Sequence, residues 1–183
     1  MMSFNHEARA IIVMGVSASG KSVVGKRLAC AIGACFVEGD DLHPPENIAK
    51  MVSGSPLADD DRWPWLDKVH GKIVRCVEAE GSVVVSCSAL RRSYRDRLRE
   101  GMTCRLQFVF LDGTRELLEK RIAHRATHFM PASLLASQLA TLERPVDEKD
   151  VIVVSIDQSI DTIVEDAIKE LERMERTRRA AYS

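Results

Sequence analysis

Eight consecutive residues make the strongest chemical statement in this chain: Gly15-Val16-Ser17-Ala18-Ser19-Gly20-Lys21-Ser22. They fit Gly-x4-Gly-Lys-Ser/Thr in full. Glycines and small residues let successive backbone N–H groups converge, which forms an anion nest at a helix N-terminus. The lysine of such a loop reaches the β- and γ-phosphates of a nucleoside triphosphate, and the following hydroxyl goes to Mg²⁺. Lys21 and Ser22 hold those places. The context agrees, because Ile11-Ile12-Val13-Met14 runs straight into the loop and a helix-forming segment leaves it. The motif therefore specifies a nucleoside triphosphate, ATP in this reading, with Mg²⁺ but leaves the phosphate acceptor open. A second candidate is Asp40, which follows the apolar run at 35–38. A carboxylate beside a phosphate loop can accept a hydroxyl proton and orient its oxygen for in-line attack. Taken alone, an aspartate after a strand also suits a turn or a cap.

The elements that must position these groups show in the apolar pattern. Five short runs rich in β-branched residues occupy 10–14, 35–38, 82–87, 106–111 and 151–156. Each is too short for a typical helix and reads as a strand buried on both faces. Helical spacing marks 21–32, 58–80, 90–100, 114–125 and 159–179. In the last of these, Ile160, Ile163, Val164, Ala167, Ile168 and Leu171 share one face. Strands alternating with helices predict an α/β fold: a parallel sheet covered on both faces, with a site where loops gather at the strands' carboxyl ends. Residues 1–183 read as one domain with no internal repeat or linker. Pro44-Pro45, Ser53-Gly54-Ser55-Pro56 and Trp63-Pro64-Trp65 read as loop punctuation. Two excursions, 43–66 and 126–150, interrupt the simple alternation, and such excursions tend to be substrate-binding pieces or lids.

Composition narrows the function classes. The 183 residues carry 26 basic and 27 acidic side chains, a net charge of -1, which argues against nucleic acid as the main partner. The basic stretch 173–179 reads as a solvated helix end, where cations are favoured. Cys30, Cys35, Cys76, Cys87 and Cys104 form no Cys-x-x-Cys pair, so neither a zinc site nor a disulfide framework is expected. Cys35, Cys87 and Cys104 lie in or beside apolar runs and read as reduced core thiols of a cytoplasmic protein. Residues 1–10 lack a signal-peptide pattern, and no apolar stretch approaches the ~20 residues that span a bilayer, so no membrane partner is expected.

Beyond the phosphate loop, a resemblance extends along nearly the whole chain. It runs through Glu38-Gly39-Asp40-Asp41-Leu42-His43-Pro44, Asn47-Ile48-Ala49-Lys50-Met51, Gly54-Ser55-Pro56-Leu57 and Asp59-Asp60-Asp61-Arg62-Trp63-Pro64-Trp65-Leu66. It recurs in Cys87-Ser88-Ala89-Leu90, Tyr94-Arg95-Asp96, His128-Phe129-Met130, Ser137-Gln138 and Leu142-Glu143. In these blocks the sequence resembles the bacterial-type gluconokinases. The stretch 40–66 is the specific part, since a phosphate loop alone would not single them out. The resemblance implies a P-loop kinase fold similar to shikimate and nucleoside monophosphate kinases. That fold has a five-stranded parallel sheet of order 2-3-1-4-5, helices on both faces and a small helical lid at about 121–142. It also implies transfer of the ATP γ-phosphate to the 6-hydroxyl of D-gluconate, and a homodimer. Ala18 stands where the family usually has glycine, a change accommodated without strain where φ is negative. Glu38 stands where aspartate is common.

With that resemblance Asp40 becomes the expected general base, and Asp41 a neighbour that caps the next segment. His43 suits contacts to sugar hydroxyls and equally suits loop structure. An acidic sugar needs a cation for its carboxylate, preferably the bidentate fork of an arginine. Arg62, within the first excursion, is the leading candidate by analogy with shikimate kinases, followed by Lys50, then Arg91 and Arg95. Each also suits a solvated helix face. Trp63 and Trp65 read as packing anchors. Arg121 and Arg125, four apart, fit the lid arginines of related kinases, Arg121 against ATP and Arg125 on the transferring phosphate. Helix-surface charge is an equal reading for Arg121 alone. Asp112 imitates a Mg²⁺-binding aspartate but is expected to cap the helix starting at Thr114. Asp157-Gln158-Ser159 fits an adenine-holding loop and also reads as a helix cap. Kinases acting on shikimate, adenylyl sulfate or a nucleotide are the competing enzymes. A nucleotide-dependent switch is disfavoured, because the sequence has no guanine-specific Asn-Lys-x-Asp segment.

Overall fold

The computed structural model describes residues 8–124 and 132–181. Five parallel strands form its sheet: β1 (Arg9–Met14), β2 (Cys35–Glu38), β3 (Ser82–Ser86), β4 (Arg105–Asp112) and β5 (Val151–Ser155). Their order is β2-β3-β1-β4-β5, as the resemblance implied. The helices are α1 (Lys21–Ile32), α2 (Pro45–Val52), α3 (Asp59–Glu80), α4 (Arg92–Arg99), α5 (Arg115–Ala123), α6 (Ala132–Thr141) and α7 (Ile160–Ala181).

Alternation along β1 shows why its sequence is uniformly apolar. Ile11 and Val13 enter one core with Val24 and Leu28 of α1 and Ile163, Val164 and Ala167 of α7. Ala10, Ile12 and Met14 enter the other core, with Trp65, Leu66, Val69 and Ile73 of α3 and Tyr94 and Leu98 of α4. Both faces of the central strands are dry, so neither face selects polar residues. The outer strand differs. Val153 of β5 is 52% exposed and the strand alternates, correcting the expectation of a fully buried 151–156. An edge strand has only one covered face.

Three elements depart from the sequence reading. Trp63-Pro64-Trp65 lies inside α3, not in a loop. Pro64 is the sixth residue of α3, past the first turn, so its ring nitrogen leaves the carbonyl of Asp60 without its helical donor. The first excursion contains α2, which begins on Pro45 at a position where a missing N–H costs nothing. The second contains α6. Helix α3 starts at Asp59, where the Asp61 carboxylate accepts the Ala58 N–H at 2.9 Å, half of a capping box.

A buried ion cluster fastens the segment after α6 to α4. Arg95, fully buried, donates from Nη2 to Glu148 Oε1 at 2.5 Å and from Nε to Oε2 at 3.0 Å. Its Nη1 serves the carbonyls of Ala89 and Leu90 at 2.9 and 3.1 Å. Arg99 adds a bond to Glu148 at 2.6 Å and one to Asp150 at 2.8 Å. Burial opposes the charge of Glu148, but the two guanidinium groups outweigh it and hold its carboxyl at about 2.

Among the described residues no helix is long and apolar enough to cross a membrane. Cys87 is fully buried and its thiol is pushed up to about 12 by burial. Cys35 and Cys104 are only half-buried, a correction to their reading as core thiols. The basic end of α7 carries ion pairs from Arg173 to Glu170 and from Arg179 to Glu175.

Candidate active site

The phosphate loop connects β1 to α1 at the carboxyl edge of the sheet. Gly20 precedes α1 with φ 97, a left-handed conformation that glycine adopts cheaply. Ala18 also lies in that region at φ 64, so the unstrained negative φ is not what the loop uses. An alanine there costs on the order of 1 kcal/mol relative to glycine, held in place by the surrounding loop. Gly15 donates to the carbonyl of Ser88 at 3.3 Å, which ties the loop to the segment after β3. Lys21 Nζ donates to the carbonyl of Val16 at 3.1 Å, folding the ammonium over the loop. Ser22 stands in the first turn of α1 and is half-buried.

Asp40 reaches the same edge because Gly39 permits a close passage of chains. A Cβ on Gly39 would lie 2.1 Å from the carbonyl oxygen of Ser86, so any other residue would push β2 off β3. The Gly39 N–H donates to Ser86 Oγ at 3.2 Å, and its carbonyl accepts from Trp65 Nε1 at 2.8 Å. Ser86 Oγ in turn donates to Glu38, so that carboxylate is engaged in fixing the strand end. Asp40 is therefore the second residue of a short 3-10 turn (Gly39–Leu42) clamped from two sides. It is open to the cleft, yet protein surrounds the cleft. Desolvation raises its carboxyl above the usual 3.8, against the lowering influence of Lys21 and with a further push from Glu38 and Asp41. A carboxylate shifted in this direction is a better proton acceptor near neutral pH.

One cavity brings several of the predicted residues together. Ser17 and Lys21 of the phosphate loop, Asp40 and His43 after β2, and Arg62 and Trp65 of α3 all line it. Ser88 and Leu90 follow β3 into it, and Leu134, Ser137 and Gln138 enter from α6. His43 stacks on Trp65 with ring centroids 4.1 Å apart. Its Nδ1 lies 3.3 Å from Asn47 Nδ2, which also donates to the carbonyl of Asp61 at 2.8 Å. An amide nitrogen can only donate, so Nδ1 accepts and the imidazole proton resides on Nε2. Burial, with Arg62 and Lys68 nearby, pushes His43 down to about 4, so it is a neutral hydrogen-bonding group at physiological pH.

Four cation candidates are sorted by their partners. Arg62 lines the cavity, its side chain only 11% exposed, and donates to Tyr94 Oη at 3.0 Å. Tyr94 donates to Asp59 at 2.5 Å, and Asp59 also accepts from Arg91 at 2.7 Å. Two guanidinium groups around one carboxylate leave a net positive charge. Arg62 is the member of that group facing the cavity, while Arg91 does not line it. Lys50 is likewise outside, half-exposed and paired with Asp61 at 2.6 Å. Arg95 is committed to Glu148 in the buried cluster and lies away from the cavity wall, so the structure does not bring it to the substrate side.

On the nucleotide side, Arg121 donates to the carbonyl of Ile156 at 2.6 Å and approaches those of Ala18 and Ser19 at 3.5 and 3.4 Å. It thus bridges the phosphate loop and the loop after β5. Asp157, in that second loop, is exposed. Arg125 and the block His128-Phe129-Met130 lie outside the described residues. Asp112 does not cap α5, because Thr114 does so, accepting the Leu117 N–H at 3.2 Å. Asp112 is instead held by both terminal nitrogens of Arg144, at 2.9 and 2.5 Å. Gln138 entered the sequence reading only as part of the resemblance and was given no role there. Its Oε1 accepts the backbone N–H of Ser17 at 2.6 Å. The polar pair Ser137-Gln138 between Leu134-Leu135-Ala136 and Leu139, itself one of the blocks of the resemblance, was the available signal.

A parallel sheet of order 2-3-1-4-5, a phosphate loop at its carboxyl edge and a carboxylate facing that loop define a P-loop kinase. The AAA domain family matches residues 11–145. A gluconokinase of Gluconobacter oxydans is 48% identical over 161 residues, 88% of this chain and 90% of that protein. The thermoresistant gluconokinase of Escherichia coli is 41% identical, covering 94% of this chain and 99% of its own length. A crystal structure of a gluconokinase from Sinorhizobium meliloti superposes with a TM-score of 0.87 at 49% identity, over 96% of this chain and 98% of that one. An APS kinase of Mycobacterium tuberculosis, at 22% identity and TM-score 0.65, shares the fold. The chain belongs to the gluconokinase family.

Proposed function

We propose that this protein transfers the γ-phosphoryl group of ATP to the 6-hydroxyl of D-gluconate, giving 6-phospho-D-gluconate and ADP. The observation that carries this reading is one cavity lined by Lys21, Asp40 and Arg62 together. It offers a phosphate cation, a proton acceptor and a carboxylate cation in one chamber. In the transfer, the hydroxyl proton passes to the Asp40 carboxylate as the oxygen's lone pair forms a bond to the γ-phosphorus. The bond from that phosphorus to the β,γ-bridging oxygen breaks, and its electron pair leaves on ADP. Lys21 offsets charge on the phosphates, and Gly15, Val16, Ser17, Ala18, Ser19, Gly20 and Ser22 cradle them. Arg62 grips the substrate carboxylate and His43 offers its Nε2 proton to a sugar hydroxyl. Arg121 and Asp157 flank the nucleotide, and Arg125 belongs on the transferring phosphate.

The residues fit Mg²⁺ in the way that suits this cation, which binds through few protein ligands, substrate phosphates and water. Ser22 supplies a hydroxyl beside the loop, and no cluster of three or more His, Cys, Asp or Glu side chains able to hold a metal occurs among the described residues. When bound, Mg²⁺ neutralises charge on the β- and γ-oxygens. A cytoplasmic setting and a homodimer form part of the same reading, on the reduced thiols and on the resemblance.

A coupled ADP-release assay across gluconate, shikimate, glycerate and nucleoside monophosphates tests the reading. Acceptor-dependent turnover with gluconate, and little with the others, is expected. Turnover that prefers another acceptor, or that ignores acceptors, would overturn it.

A further inference from the structure

Helix α6 places an amide side chain where the two halves of the reaction meet. Gln138 lines the cavity that also holds Lys21 and Asp40, and its Oε1 accepts the Ser17 N–H at 2.6 Å. Because a backbone N–H can only donate, the carboxamide has a forced orientation: oxygen toward the loop, NH₂ turned away from it. The frame behind it is fixed. Just beyond α6, the Glu143 N–H donates to the carbonyl of Leu90 at 2.9 Å, and the Glu143 carboxylate accepts the Arg92 N–H at 2.7 Å. Arg144 grips Asp112 through two bonds. These contacts pin the end of α6 to the loops after β3 and β4, so Gln138 reaches the phosphate loop from a tethered helix.

The NH₂ of this half-buried amide at the cavity wall is open to an acceptor that a ligand brings. The attacking hydroxyl gives its proton to Asp40 and a lone pair to phosphorus, so it is already engaged. The oxygens of the transferring γ-phosphoryl group only accept, and the phosphate loop brings them beside Ser17. We propose that Gln138 is a catalytic residue that reads the γ-phosphate, with Oε1 on the Ser17 N–H and Nε2 donating to a γ-phosphoryl oxygen. A neutral amide suits the task, because it serves a backbone donor and an anion at once. This deepens the kinase reading above and rests on it for the acceptor, but not for the nucleotide.

Two variants of the full chain separate this role from a tether. Gln138→Leu loses both bonds. Gln138→Glu keeps an acceptor for Ser17 but cannot donate and repels the γ-phosphate. Binding of ADP and of a non-hydrolysable ATP analogue with an intact γ-phosphoryl group is measured with Mg²⁺ and without acceptor, followed by turnover with ATP and gluconate. ADP affinity is expected to change little in both variants. Analogue affinity and turnover should fall on the order of 10- to 100-fold in Gln138→Leu, the scale of a hydrogen bond to a charged group. They should fall further in Gln138→Glu. The reverse order, with Gln138→Glu close to wild type, would mean a tether through Ser17 and would overturn the proposal. Equal losses for ADP and the analogue, or a raised gluconate KM at unchanged analogue affinity, would overturn it as well. If gluconate is the wrong acceptor, the wild type shows no gluconate-dependent turnover, while the nucleotide arms still decide the role of Gln138.

Discussion

Arg62→Ala removes the cation that faces the cavity, and its surroundings limit what else changes. Tyr94 keeps its bond to Asp59 at 2.5 Å, and Arg91 still neutralises that carboxylate from 2.7 Å. No buried charge is stranded, so the variant should fold. What is lost is a guanidinium whose side chain is 11% exposed and held in place by Tyr94, hence largely desolvated before substrate arrives. Removing one partner of such a fork costs on the order of 2–4 kcal/mol. At tenfold per 1.4 kcal/mol, the gluconate KM should rise roughly 30- to 700-fold. The KM for ATP should hardly move, since the phosphate loop is untouched. Initial rates of ADP release, with gluconate and ATP varied in turn, read both constants. Arg62→Lys should recover part of the loss, because charge returns without the planar fork. An unchanged gluconate KM in Arg62→Ala would refute the assignment and leave Arg62 as a packing partner of Tyr94.

Lys21→Ala should reduce turnover at least ~100-fold with the fold intact, because the lost ammonium acts on the transferring phosphate; circular dichroism and the coupled assay check both halves. Arg95→Ala leaves the buried Glu148 with Arg99 alone and takes the donor from the carbonyls of Ala89, Leu90 and Glu143, so it should cost on the order of 3 kcal/mol in denaturant unfolding while the gluconate KM of the folded protein hardly moves. Glu148 also predicts acid sensitivity. Its carboxyl is held at about 2 against an ordinary 4.5, so its stabilisation is complete above about 4.5 and is lost as pH falls through 2. That shift corresponds to roughly 3 kcal/mol, and unfolding midpoints measured between pH 6 and pH 2 should show a drop that Glu148→Gln lessens.

The central fold was legible because its strands are dry on both faces and its first helix is bounded by glycines. Gly20 and Gly33 frame α1 at 21–32, as its spacing predicted, and both take left-handed conformations. The exposure of Val153 was not legible, since an edge position follows from topology and Val153 is the same residue type as the buried Val13. Helix α2 is short and starts on a proline after another proline, a pattern that reads equally as loop. The site residues divide in the same way. Lys21 and Asp40 are local signals, fixed by a motif and a strand end. Arg62, Arg91 and Arg95 look alike in sequence, and what separates them is remote. Arg95 finds Glu148 across 53 residues, and Gln138 finds Ser17 across 121. Such pairings depend on the sheet order and on where α6 packs, which no window of sequence contains.

The mechanism stands most directly on Asp40, and turnover of Asp40→Asn at saturating ATP and gluconate tests it. The substitution keeps size and one acceptor oxygen but can neither take the hydroxyl proton nor attract it electrostatically. Turnover should fall by ~10²–10⁴, with ATP binding nearly unchanged. In the wild type the acid limb of kcat/KM should lie above the ordinary aspartate value of 3.8, because desolvation raises this carboxyl in the free enzyme and activity is lost as it protonates. A folded Asp40→Asn protein that turns over gluconate at the wild-type rate would contradict the account.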